Sequence, residues 1–555
     1  MSEWINEGSQ EEAAPRAEAA KTEPANTVPA RTETAVPAIP VLTVPPVKGP
    51  KTKKEPLPVE KRDRILALVM FVAAYLASEV FGLLTNPGYY GYGVTLLGIV
   101  YAVMVFAYGR NRKTVFPKET YFWLAVLILG AGSYSFVYNQ SLKVFHPLFL
   151  RLVALYVTLV INTALITGKT GSYFIFDGIN MLFVIPFENF AAQWQISGKE
   201  VRKLRFFATL FKALLGLVVA LPLLLIVAAL LGSADDQFAE LLVRVVNSLG
   251  DHFFQTIWTF VASLPVGCYL FGLFYGSAHK RGTEHIKKES IESSSKACAV
   301  IPQVSFYAVL FVICLLYVLF IGLQGGYYFS AVRGVLPDGF TYSTYARQGF
   351  FELVAISLIN IGVIGVTQLF AKGKGRIIKG FYILLSILTL LLILTAMTKM
   401  ALYINAHGLT PLRVIPSVFM VFMALVFVLI IVHQVKPVPI ARISLYAFAA
   451  GYIILSVFNM DGFIAGYNLD RYQKGTLEEV DAIALKNGGI ASLPPMYKVW
   501  STTGDEELKR QLEGIAEVIQ YRESEIIDIS DQVKYDSIPK YHARVIIKEM
   551  TKENP

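Results

Sequence analysis

A handful of polar residues stand where a polar residue is costly. Glu79, Arg151, Glu352 and Lys399 each interrupt a long apolar run, while Arg347, His407, Arg413 and Asp461 flank such runs. A charged side chain deep in a membrane helix costs roughly 2.5–3.5 kcal/mol on insertion scales, so each asks for a partner or for water. Two accounts fit these residue types. In the first they pair off, Glu79 with Arg151 and Glu352 with Lys399 or Arg413, and rivet helices together. In the second, surplus guanidinium groups receive an anion, because their forked donors match phosphate or carboxylate oxygens. The ligand set is then Arg151, Arg347, Glu352, Arg413 and Asp461, with Glu79 and Lys399 in structural charge pairing. Asn162 and Asn360 lie further inward and read as interhelical packing groups.

Other strings only imitate chemistry. Gly168-Lys169-Thr170 ends like a phosphate-binding loop, but residue 163 is threonine where that loop needs glycine, and no strand precedes it. His279-Lys-Arg-Gly-Thr-Glu284-His285 has the wrong spacing for a zinc-protease motif and lies in a charged loop. No nucleophile elbow or paired-cysteine metal site occurs, and the seven histidines are scattered. Neither a metal nor a cofactor is expected, and the reading leans away from an enzyme.

The elements that must carry these residues follow from composition. The 555 residues are 54% hydrophobic and only 16% charged, with a mean hydropathy of +0.52. Soluble domains carry about 25% charged residues, so much of this surface must face lipid. The three cysteines, Cys268, Cys298 and Cys314, lie in or beside apolar segments and offer no disulfide framework. About 20 apolar residues cross a bilayer as a helix. Eleven segments qualify, at 64–84, 93–109, 121–138, 147–167, 206–232, 254–276, 304–323, 350–370, 378–400, 412–432 and 441–458. Their continuous Leu/Val/Ile/Phe runs lack the alternation of a β-barrel. The expected fold is an all-α polytopic integral membrane protein.

Charge in the connectors sets orientation. Lys61, Arg62 and Arg64 precede the first span, and Arg110, Arg112, Lys113 and Lys118 follow the second. Lys199 to Arg205, Lys280 to Lys288 and Lys372 to Lys379 continue the series, whereas 85–92 carries no charge. Basic loops stay cytoplasmic, which puts the N-terminus in and, after eleven spans, the C-terminus out. Segment 172–196 is broken by Asp177, Pro186 and Glu188 and reads as an interfacial or re-entrant helix on the cytoplasmic side. Residues 1–60 are a Pro/Ala-rich tail too poor in apolar bulk to order itself. Residues 61–458 form the transmembrane domain. Residues 459–555, with 12 Lys/Arg against 17 Asp/Glu, form a small, mostly helical extracytoplasmic domain. There Thr476 to Glu479 reads as a capping box, Gly488-Gly489 as a stop, Pro494-Pro495 as a restart, and 505–523 as an amphipathic helix.

Three strings on the outer side carry a resemblance: Tyr345-Ala-Arg-Gln-Gly-Phe-Phe-Glu-Leu353, Tyr403-Ile-Asn-Ala-His-Gly-Leu-Thr-Pro-Leu-Arg413 and Asn459-Met-Asp-Gly-Phe-Ile-Ala-Gly-Tyr-Asn468, the last leading to Arg471-Tyr472. Together they resemble the bacterial multipass membrane families known as domain of unknown function 4173 and its relative 4153, over roughly residues 60–500. That family usually has tyrosine where His407 stands. The resemblance implies a multi-pass protein of the bacterial plasma membrane without an assigned activity.

The functional expectation is a non-catalytic envelope scaffold or sensor with an outward-facing polar site for an anionic ligand or lipid. Its expected partners are membrane lipids, an anionic envelope ligand and a cytoplasmic partner of the tail, with no nucleic acid. The alternatives are a small-solute transporter, which would want internal repeats and midplane charges, and an outward-facing lipid-linked transferase, which would need a base such as Asp461 or Glu352 within reach of substrate.

Overall fold

A helix covers most of each of the eleven apolar runs. The computed structural model describes residues 57–81, 90–110, 116–201, 205–332, 342–373, 375–527 and 536–552. Most of the tail read over 1–60 lies outside them, as does the side chain of Arg347. Among the described residues there is no β-strand, only an isolated bridge between Ile301 and Ala371.

The N-terminal helices are α1 (Lys61–Phe81), α2 (Tyr92–Arg110), α3 (Lys118–Phe136) and α4 (Phe145–Ile161). The short α5 (Phe174–Ile179) and α6 (Ile185–Glu188) follow, then α7 (Ala192–Val201), α8 (Arg205–Ala234) and the 44-residue α9 (Asp236–His279). Their core gathers Met70, Val105, Leu127, Val157 and Phe274. Small residues let the backbones approach: a Cβ on Gly98 of α2 would fall 2.3 Å from the Ala131 Cβ of α3.

A second core, built on Leu310, Leu385, Ile393, Met420 and Phe427, belongs to the next helices. These are α10 (Lys288–Cys298), α11 (Gln303–Val332), α12 (Tyr342–Phe370), α13 (Arg376–His407) and α14 (Pro411–Val435). The helix α15 (Ile440–Val457) joins the two groups. Its Phe448 ring lies 5.6 Å from Phe422 of α14 and 6.4 Å from Phe149 of α4. The packing role read for the two asparagines holds. Asn162 donates to Ser277 Oγ at 3.0 Å. Asn360 donates to Thr389 Oγ at 2.8 Å and accepts from Tyr317 at 2.9 Å, tying three helices together.

Among the described residues, seven helices are long and apolar enough to cross a membrane: those at 92–110, 255–279, 303–323, 350–370, 376–407, 411–435 and 440–457. The pair Phe174–Glu188 and Ala192–Lys199, bent by 41°, makes an eighth if it counts as one broken span; the alternative is a re-entrant loop. The other apolar runs are helical too, but α4 and the Pro222–Ala234 stretch are short.

The chain ends in α16 (Met460–Gln473), α17 (Ala482–Gly488), α18 (Leu493–Thr502), α19 (Glu506–Ile527) and α20 (Ile538–Lys552), around a core of Leu493, Met496, Leu512 and Met550. The local signals fare unevenly. Gly489, at φ +56°, ends α17, prolines open α18, and Asp505 caps α19. The capping box at Thr476 does not form. Asp481 caps α17 instead, and the Thr476 hydroxyl is engaged with Arg471.

Candidate functional site

Two of the three strings that carried the resemblance, 403–413 and 459–472, meet in space. Helix α13 ends at Gly408, whose φ of +75° and ψ of −169° suit glycine alone, and the chain turns into α14 through Leu409 and Thr410. Asn468 of α16 grips that turn from both sides, accepting from the Leu409 amide at 2.7 Å and donating to its carbonyl at 2.8 Å. Arg471 reaches the Asn405 carbonyl at 3.0 Å. Arg413 folds back over the end of α13, where its Nη1 donates to the His407 carbonyl at 2.8 Å and the Gly408 carbonyl at 2.5 Å. Its guanidinium stacks 3.9 Å above the Tyr403 ring, and the residue is only 7% exposed. Orphan carbonyls at a helix C-terminus attract a cation, so Arg413 serves as a buried cap.

Asp461 works in the same manner on another loop. It is 2% exposed and accepts from the Ser141 amide at 3.1 Å and the Ser141 hydroxyl at 2.6 Å. Burial pushes its carboxyl above the ordinary range, against the pull of those hydrogen bonds. Asn459 caps α16 by accepting from the Gly462 amide. The Asx cap and the loop clamp are thus divided between two residues of one string.

The remaining candidates fall into different helix groups. Glu352 and Lys399 are within electrostatic reach of one another on α12 and α13. Glu79 is half-buried near the end of α1, and Arg151 is exposed on α4. The helix bearing Arg347 is described, but its side chain is not.

Arg151 borders a feature that has no local signature in the chain. A cavity of about 660 Å³ opens among α1, α2, α3, α4 and α9, within the size range of small-ligand sites. Its lining is mostly apolar, and among the described lining residues Arg151 is the one that carries a charge. Two of its tyrosine hydroxyls are engaged elsewhere: Tyr101 with Thr158 at 2.8 Å, and Tyr269 with the Leu182 carbonyl at 3.1 Å. Along α4 the lining runs from Val144 to Leu155, a rise of roughly 16 Å.

At the other end of the bundle, reasoning from sequence missed a buried network. Asp63, 0% exposed, accepts from Tyr108 at 2.7 Å and pairs with His279 at 2.9 Å. A lone acid within the basic run Lys61-Arg-Asp-Arg64 was the available signal. The Gly168-Lys169-Thr170 string is a structural turn. Thr170 is buried between Trp123 and Tyr156, and its amide donates to Glu119 at 3.0 Å. Among the described residues no group of three His, Cys, Asp or Glu side chains converges on a metal position.

No curated protein and no solved structure matches the chain. A family model described as a domain of unknown function, DUF4153, matches residues 124–499, from α3 through α18. That stretch holds more than half of the chain, including the clamped turn and most of both helix groups, and the chain belongs to the DUF4153 family.

Proposed function

We propose that this is a non-catalytic multi-pass envelope protein of the bacterial plasma membrane that holds an anionic lipid, or the lipid end of an envelope polymer, beside Arg151. One observation carries the reading: a mostly apolar cavity beside α2 and α9, two helices long and apolar enough to cross a membrane, that runs some 16 Å along α4 and has Arg151 as the one charged residue among its described lining. An acyl chain fits the apolar part, and a guanidinium suits a phosphate. Arg347 and Glu352, on α12, belong in this reading to a neighbouring polar surface, while Arg413 and Asp461 hold the framing loops. Eleven spans, an N-terminus inside and the helical piece at 459–555 outside complete it, with kinship to the 4173 relative. The tail then meets a cytoplasmic partner.

The test is lipid retention. Native mass spectrometry of the full-length protein, purified with its lipids, should show anionic lipid in excess of its share of the membrane. Arg151→Gln should lower that excess several-fold, and Ala154→Phe, which fills the cavity, should displace the lipid. Unchanged lipid complements in both variants sink the reading.

A further inference from the structure

At the end of the bundle opposite the C-terminal helices, Glu119, Asp177 and Asn180 are among the side chains that hold buried polar atoms with no hydrogen bond. Glu119, in the first turn of α3, receives the Thr170 amide at 3.0 Å and the Tyr446 hydroxyl at 2.9 Å on one oxygen; its Oε1 is buried without a partner. Asp177 on α5 is 1% exposed. Its Oδ1 accepts from the Ile166 amide at 2.8 Å, and its Oδ2 has no partner. Asn180 follows three residues later, on the same helix face. It is also 1% exposed, and neither its Oδ1 nor its Nδ2 is hydrogen-bonded.

The two carboxylates are close enough to act on each other electrostatically. Like charges in apolar surroundings repel strongly, and a buried polar atom left without a partner is costly. The neighbouring cation, Arg442, directs its Nε to the Thr170 carbonyl at 2.6 Å. Lys280 is turned to the carbonyls of Asn162 and Thr163. Asn180 also opens a π-helical turn, Asn180–Val184, a local irregularity frequent at functional sites. A cation bound there would satisfy the orphaned carboxylate and amide oxygens.

We propose that Glu119, Asp177 and Asn180 form a binding site for a hard metal cation. The donors are two carboxylate oxygens and one amide oxygen, with water completing the shell. Oxygen-only donors of this kind suit calcium- or sodium-like ions and not the softer metals that prefer sulfur or imidazole. The site is separate from the Arg151 cavity and does not depend on it.

The full-length protein in nanodiscs of zwitterionic lipid, held in choline chloride without divalent ions, gives the test. Calcium alone and sodium alone are titrated while the thermal midpoint and the heat of binding are followed. A saturable rise with either ion supports the site, as does a loss of affinity of at least tenfold in Asp177→Asn and Asn180→Ala. Asn180→Ala removes no charge, so it remains informative if Asp177→Asn misfolds, and Glu119→Gln gives a third comparison. Identical midpoints in choline, sodium and calcium overturn the proposal, as do equal responses in wild type and variants.

Discussion

Glu523 shows what burial does to a single carboxylate. It is 6% exposed on α19, beside Gly489, where a Cβ would fall 2.1 Å from its Oε1. Burial pushes its carboxyl up to about 7, although the Ile490 amide, Lys143, Tyr138 and Arg522 pull the other way. Between its ordinary 4.5 and 7 the folded chain keeps a proton that the unfolded chain has lost. Stability therefore falls as pH rises through that window, by on the order of 3 kcal/mol. Lys540 runs oppositely. Burial brings its amine down from 10.5 to about 8, so the unfolded chain holds the extra proton between those values and stability climbs across them. Amide hydrogen exchange over α17 to α20 should thus be slowest, after correction for intrinsic rates, near pH 4.5 and fastest between pH 7 and 8. Glu523→Gln should flatten the lower slope and leave the upper one. A slope unchanged in that variant would mean that the carboxylate is not the titrating group.

At the scale of elements, the turn between α13 and α14 is a tightly constrained joint. Gly408 supplies a backbone conformation closed to other residues, and a Cβ there would meet Asn468 Oδ1 at 2.5 Å. Gly408→Ala should cost about 1–3 kcal/mol from backbone strain alone, with further loss of the Asn468 grip. A lower thermal midpoint and new proteolytic cleavage near residue 408 would register it. Asn468→Ala relieves the clash but not the strain, so the double variant should remain below Asn468→Ala. Equal midpoints for those two would contradict the strain argument. The strings that carried the family resemblance made this joint legible as special, but not its purpose. A Gly-Leu-Thr-Pro-Leu-Arg run could as well bind a ligand as cap a helix, and only the position of α16 against it shows the cap. The capping box at Thr476 failed for a related reason: its local signal was real, but Arg471 lay near enough to take the hydroxyl.

For the whole molecule, the ends of the helices sort themselves. The Tyr92 amide bonds the Asp536 carbonyl at 2.9 Å, Ser141 bonds Asp461, and Leu409 bonds Asn468, so these loops and α16 to α20 share one end. Asp63 with His279, Glu119 with Thr170, and Glu188 with His285 mark the other. If the basic connectors stay inside, an alkaline phosphatase fused after Pro555 should be active and a fluorescent protein there dark; the reverse outcome removes the outward orientation. Membrane class and helical elements could be read in advance because hydrophobicity is additive and local: twenty apolar residues in a row carry the same cost of exposure wherever the fold puts them. The stop at Gly489 and the restart at Pro494 were legible for the same short-range reason. The partners of Arg413 and Asp461, the cavity beside Arg151 and the orphaned atoms of Asp177 and Asn180 were not. Each depends on which helices lie side by side, and that follows from packing between residues up to hundreds of positions apart, which no local pattern encodes.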